Sequence, residues 1–382
     1  MRDCSPVERI LRASSAARAA LLSGFTTYRD LGTEALGPAD AQLRDAINRG
    51  LVPGPRMFVA TDALASSGSY EIRRENKSLF GPAGPNDSSS SSGSGGGGGL
   101  LVPRASDPCD GVDGVRAGVR RRVGDGADII KFYADYRRKV MRFPGPGTSN
   151  TSSLPILFPP DNSRKRKNPA VPLFGQDEMD AIVQEARLAE LPVAAHAGET
   201  KAALMAARAG VTSVEHVFED SNGLMDELLR EMKRQGTIWV PTLATVESAA
   251  PQFMEDCLKA VRKAVDMGVR VVTGGDTGVI DHGLNARELE LFVKAGIKVE
   301  DVLEMATVGG WEACGGELTG YRFGWWEKGC RADIIALDAD PREDKKALRK
   351  VNFVMKDGKV WKRDGRAVDM ITVPEFPPSM DD

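Results

Sequence analysis

A chain of 382 residues is long enough for a large core, and because an α/β barrel alone uses roughly 250 residues, one large domain with a small appendage fits the length. Hydrophobic residues are 41% and charged residues 27%, with no run near the roughly 20 apolar residues of a membrane span, so no membrane role is expected. The net charge of −3, with both signs interspersed, gives no electrostatic case for nucleic acid and points instead to a small-molecule partner.

Five scattered cysteines never pair at zinc-ribbon or redox spacing and read as reduced thiols. The opening residues mix charges and lack the ordered parts of a signal peptide, so a cytoplasmic location is the expectation. A homo-oligomer is compatible with the sequence.

In chain order, a helical opening leads to GFTTYRDL from Gly24 and RMFVAT from Arg56, then DIIKFY from Asp128 and PVAAH from Pro192. TSVEH from Thr212, TIWVPTLA from Thr237 and RVVTGGDT from Arg270 follow. These apolar runs alternate with amphipathic segments such as DEMDAIVQEARLAE from Asp177, the pattern of repeated βα units and a parallel sheet. The fold class is therefore α/β, a TIM-type (β/α) barrel; seven strands are legible where closure takes eight, and the first is expected to be missing.

Beyond the strands, ARELELFVKAG and VEDVLEMATVGGWEACGG read as helices. ADIIALDAD and VNFVMKDGKVWKR follow, the latter turning at Asp357-Gly358 as a β-hairpin. The barrel is assigned to residues 1–318, with low-complexity loops at 80–107 and 139–172, and a small β domain and tail to 319–382. The basic run Arg164-Lys165-Arg166-Lys167 reads as a solvated loop.

Only three histidines occur, and two of them, His196 and His216, close consecutive expected strands, at the barrel end where such folds place their chemistry. Neutral imidazoles there suit one cation, although a lone strand-end histidine is more often a hydrogen-bonding residue. Asp276 ends VVTGGDTG, where it either joins that mouth or caps the next helix. Lys131, inside the apolar run DIIKFY, is either a desolvated amine able to take up carbon dioxide as a carbamate or a lysine paired with a carboxylate.

GADIIKFYADY, PVAAHAGE, GVTSVEHVFED, VVTGGDTG, HGLNARELELFVKAGI and GCRADIIALDADP, followed by VMKDGKVW, resemble the metal-dependent amidohydrolase superfamily. Its imidazolonepropionase-like and prolidase-like dipeptidase branch is the most similar, and the resemblance runs in order from about Gly24 to Arg366.

The resemblance implies a hydrolase of carbon–nitrogen bonds in non-protein amides, cyclic amides or dipeptides, acting through a metal-activated water. It makes Lys131 a carboxylated bridging lysine, His196 and His216 ligands of one metal, and Asp276 both a ligand and the catalytic proton shuttle. Tyr133 and His282 become substrate-binding residues, and the cofactor a divalent metal, zinc, at one or two sites.

The sequence departs from the family in having no His-x-His pair, which puts the second metal site in doubt. It also lacks the N-terminal strands that complete the small β-sandwich, so an N-terminally truncated barrel is the expectation. The alternative function is an inactive remnant of the fold that binds a small molecule or partner.

Overall fold

The computed structural model describes residues 4–68, 105–137, 170–220 and 222–368. The segments 80–107 and 139–172, expected as loops, lie outside the described residues except for 105–107 and 170–172.

Ser5 caps α1 (Pro6–Leu22) by accepting from Glu8 N, with Pro6 in the first turn, where it has no helical hydrogen bond to lose. There follow β1 (Thr27–Asp30), α2 (Ala39–Asn48), β2 (Arg56–Val59), the short β3 (Leu64–Ala65) and β4 (Asp107–Pro108), and α3 (Gly111–Gly124). Next come β5 (Ile130–Tyr133) and the antiparallel pair β6 (Asp135–Arg137) and β7 (Ala170–Pro172), so the end of the second expected loop is a strand paired beside the barrel mouth.

The chain continues through α4 (Gln176–Leu188), β8 (Val193–Glu199), α5 (Thr200–Ala209), β9 (Ser213–Glu219), α6 (Met225–Gln235) and β10 (Ile238–Val240). The expected strand over 237–244 is shorter than its apolar run. Pro241 has no N–H for the ladder and Thr242 turns to φ +50°, so α7 (Leu243–Ala249) begins there instead. After α8 (Met254–Met267), the expected strand over 270–277 shrinks to a single parallel bridge between Val271 and Trp239. Then come α9 (Ala286–Lys294), α10 (Val299–Ala306) and α11 (Val308–Ala313), the last two one periodic segment broken at Thr307.

Parallel pairing runs β1–β2 and β4–β3–β5–β8–β9–β10, and Val59 O joins the two groups by accepting from Asp128 N and Ile129 N at 2.8 and 3.2 Å. With the bridge at Val271, β1, β2, β5, β8, β9, β10 and the segment at Val271 follow one another in chain order, and the two-residue β3 and β4 add to the parallel sheet beside β5, an α/β architecture of TIM-barrel type.

Strand alternation sorts the side chains. Ile130, Phe132, Val193, Ala195, Val214 and Trp239 join the large core beneath the helices. Ile129 and Ala194 instead pack inward with Phe58, Cys314 and Phe323 as the floor of the barrel. All five cysteines are free thiols, as expected. No helix among the described residues is long and apolar enough to cross a membrane.

The C-terminal segments form a four-stranded antiparallel sheet of β11 (Ile334–Leu337), β12 (Val351–Lys356), β13 (Lys359–Arg363) and β14 (Arg366–Ala367). Asp357 and Gly358 both take positive φ at the expected hairpin turn. Leu21 of α1 packs with Val351, Val354 and Trp361 of this sheet. Gly24 must be glycine, since its φ is +95° and a Cβ would meet Val351 Cγ2 at 3.0 Å. Arg56 of β2 bonds Asp333 at 3.0 Å and Asp357 at 2.5 Å, fixing the sheet to the floor.

At the opposite ends of β1 and β2, Asp30 accepts from Gly32 N, and buried Asp40 accepts from Ala41 N and Thr61 N. Burial first, then repulsion from Asp30, pushes Asp40 up to about 7, and burial, with Glu34 adding to it, pushes Asp30 to about 6. A carboxyl raised in the folded state contributes stability that is full below its unfolded value, about 4, and lost as pH rises through the folded value. Asp40→Asn is therefore expected to flatten the decline of unfolding free energy between about pH 4 and 7, by up to roughly 1.4 kcal/mol per pH unit, in urea titrations at stepped pH. An unchanged slope would show that Asp40 is ionised in the fold.

Candidate active site

The inward faces of the strands carry a polar layer above the apolar floor. Arg29 of β1 reaches across the barrel to β9, where it bonds both oxygens of Glu215 at 2.9 and 3.0 Å, Ser213 Oγ at 2.7 Å and Ala313 O at 3.2 Å. Arg29 thus pairs with a strand carboxylate in the barrel interior, rather than with Asp30 or a loop. Burial raises the Glu215 carboxyl, but Arg29, Lys131 and the Ser213 hydroxyl together hold it below the ordinary range.

Lys131 projects from β5 into the same layer and is 4% exposed. Desolvation lowers its amine to about 8, with Arg29 adding to the fall while Glu215 and Asp276 oppose it.

Above this layer, Tyr133 of β5 stands opposite His196 of β8, ring centroids 4.9 Å apart, and the His196 and His216 rings meet edge-on at 4.6 Å. Strict alternation after the inward-facing Glu215 would turn His216 outward. Positive φ at His216 (+77°) and Val217 (+63°) breaks the alternation and brings the imidazole into the mouth. Burial, with Lys131 nearby, lowers both histidines and keeps them neutral, the form that binds cations.

Outer partners distinguish the ring nitrogens. His216 Nδ1 lies 2.8 Å from Thr242 Oγ1, leaving Nε2 for a cation; His196 Nε2 faces Asp135 Oδ1 at 3.8 Å, leaving Nδ1. Buried Asp135 also accepts from Gly198 N and Glu199 N, and burial pushes it up to about 7. Asp276, at φ +51°, completes the cluster: it acts electrostatically on Lys131 and His216, and its Oδ2 lies 3.4 Å from Thr245 Oγ1.

Lys131, His196, His216, Asp276 and Tyr133 are thus gathered at one mouth. His282 sits in the exposed 277–285 loop, where burial of its ring lowers it and Asp281 opposes; among the described residues no hydrogen bond or ring contact joins it to the others. Two neutral imidazoles, a depressed lysine amine and a carboxylate suit a divalent cation. Among the described residues no group of three or more His, Cys, Asp or Glu is placed to hold a metal ion.

Asp135, Thr242, Glu288 and the Arg29–Glu215 pair were not among the residues expected from the sequence. Asp135 follows Lys131 in KFYADY, Glu215 precedes His216 in VEH and Glu288 lies in HGLNARELELFVKAGI, so each stood within a quoted motif without a signal for its partner.

The Amidohydrolase family model matches residues 11–362. The chain belongs to the amidohydrolase family. Ochratoxinase of Aspergillus niger is 30% identical over 397 aligned residues, covering 92% of this chain and 70% of that protein. The crystal structure of A. niger ochratoxinase superposes with a TM-score of 0.71 at 26% identity, covering 94% and 77%. A Xaa-Pro dipeptidase with bound methionine in its active site gives 0.69 at 28%, covering 92% and 79%. A prolidase complexed with N-methylphosphonate-L-proline gives 0.69 at 26%, covering 94% and 81%. As an amidohydrolase of the prolidase-like branch, the chain is a hydrolase of carbon–nitrogen bonds, in a family that generally uses divalent metals.

Arg29→Met is expected to cost this amidohydrolase roughly 3 kcal/mol, because it leaves the Glu215 carboxylate buried without its guanidinium. The double variant Arg29→Met/Glu215→Met should recover most of that loss in denaturant titrations; a single variant as stable as wild type would show the pair to be energetically idle.

Proposed function

We propose that the chain hydrolyses the amide bond of dipeptides or N-acyl amino acids at the mouth formed by Lys131, Tyr133, His196, His216 and Asp276. The observation that carries the reading is the edge-on contact of two neutral imidazoles beside a lysine amine lowered to about 8. The Xaa-Pro dipeptidase and the prolidase complexed with N-methylphosphonate-L-proline, among the similar proteins, support the substrate class.

In this reading His196, His216, Lys131 and Asp276 hold a divalent cation, zinc, at one or two sites; when bound, it supplies Lewis acidity toward a carbonyl oxygen and a water of lowered pKa. Lys131 adds its neutral amine to carbon dioxide and releases a proton, giving an anionic carbamate as a further oxygen donor. Asp276 takes the proton of the attacking water and delivers it to the leaving nitrogen. Tyr133 holds the substrate beside His196, and His282 reaches the substrate from its loop. The depressed histidines remain neutral as pH falls below 6.5, which preserves their donor form.

In domain terms, residues 1–318 carry the site and 319–382 supply the sheet that braces the barrel floor. A second reading, an inactive scaffold that binds a small molecule, is favoured by the lack, among the described residues, of a cluster of three His, Cys, Asp or Glu.

Elemental analysis of the purified chain, paired with turnover of an Xaa-Pro dipeptide series and an N-acyl-proline series, separates the two. The hydrolase reading expects at least one zinc per chain, lost in His196→Ala/His216→Ala, and a rate at least about 100-fold lower in Asp276→Asn. A folded chain with no metal and no turnover establishes the scaffold instead.

A further inference from the structure

Glu288 of α9 is 1% exposed, and burial pushes its carboxyl up to about 8. Its two oxygens accept from successive backbone N–H groups, Leu243 at 2.9 Å and Ala244 at 2.7 Å. Those N–H groups open α7, whose N-cap residue, Thr242, makes no side-chain capping bond. A threonine at that position ordinarily caps its own helix. Here its hydroxyl is diverted to His216 Nδ1 at 2.8 Å, and Glu288, 45 residues on from Leu243, takes over the capping.

The same turn carries Thr245, whose hydroxyl donates to Gly275 O at 3.2 Å and lies 3.4 Å from Asp276 Oδ2. Thr242, His216 and Asp276 all have positive φ: +50°, +77° and +51°. A β-branched residue such as Thr242 is a true outlier there, and strain of this kind persists only where the surroundings over-determine it. Glu288 supplies one clamp; Trp239 supplies another, donating from Nε1 to His216 O at 2.8 Å.

We propose that Glu288 is a positioning residue: by gripping the 242–245 turn it frees the Thr242 hydroxyl to orient His216 and sets Thr245 against Asp276. The inference rests on the reading of His216 and Asp276 as cation-binding residues. Glu288 does not touch the reacting atoms; it acts through Thr242 and Thr245.

The test is zinc affinity of the full chain, measured by competition with a chromogenic chelator, for wild type, Glu288→Gln, Thr242→Val and the double variant. The amide of glutamine accepts one N–H but turns a donor toward the other, so the turn loosens at nearly constant volume. Each single variant is expected to weaken zinc binding by about 10- to 100-fold, and the double variant by no more than the weaker-binding single, because both act through one turn.

Wild-type affinity in Glu288→Gln, or losses that multiply in the double variant, would overturn the inference while leaving the metal reading intact. Failure of the wild-type chain to bind zinc overturns the metal reading and takes the inference with it. Should Glu288→Gln not fold, Glu288→Asp replaces it in the cycle, with the same coupling expected.

Discussion

A guanidinium and a carboxylate locked together inside the barrel, Arg29 on Glu215, set the terms for everything above them. Both are nearly sealed from water, at 11% and 3% side-chain exposure, so each would be costly alone. Together they present Lys131 with opposed charges: Glu215 favours its ammonium and Arg29 disfavours it. Desolvation then decides, and the amine falls to about 8. The same pair ties β1 to β9 across the interior, a link that backbone ladders between neighbouring strands do not make.

The mouth itself is built by departures from regular backbone. His216 and Val217 break the alternation of β9, Thr242 ends β10 and turns into α7, and Asp276 closes the glycine-bearing segment after Val271. Each departure is matched by a polar group that fixes it: Trp239 on the His216 carbonyl, Glu288 on the 243–244 amides, Thr245 beside Asp276. Asp135 does the same for β8 by accepting from Gly198 N and Glu199 N below the His196 ring. Strain spent at the site is thus offset by buried hydrogen bonds one layer out.

The opposite end of the barrel is held by different means. Arg56 lies over the Phe323 ring at 5.1 Å while bonding Asp333 and Asp357, and Lys356 donates to Gly54 O at 2.7 Å. Leu21 and the Val351–Trp361 cluster add apolar contact between α1 and the C-terminal sheet. The sheet therefore braces the floor from which β1 and β2 start, and through β1 it supports the Arg29–Glu215 pair.

The sequence by itself made the βα repeat legible through strand periodicity, set His196 and His216 at the ends of consecutive strands, and through the resemblance of its motifs implied the family; that Lys131, Tyr133 and Asp276 share one mouth while His282 stands apart in its loop is a tertiary outcome. It could place Asp357-Gly358 at a turn, since both residue types accept positive φ. It could not place Arg29 on Glu215, which lies 186 residues away, nor Glu288 on the amides of Leu243 and Ala244, because those bonds join inward-facing groups of elements remote along the chain. It also extended β10 through Ala244, since an apolar run does not reveal where a hydroxyl will be drawn away from its own helix by an imidazole on the neighbouring strand. Local pattern specifies which way side chains of a regular strand face, though not at His216, where positive φ breaks the alternation; only the closed tertiary arrangement decides which charge or hydrogen bond each meets, because burial and long-range proximity set those energies.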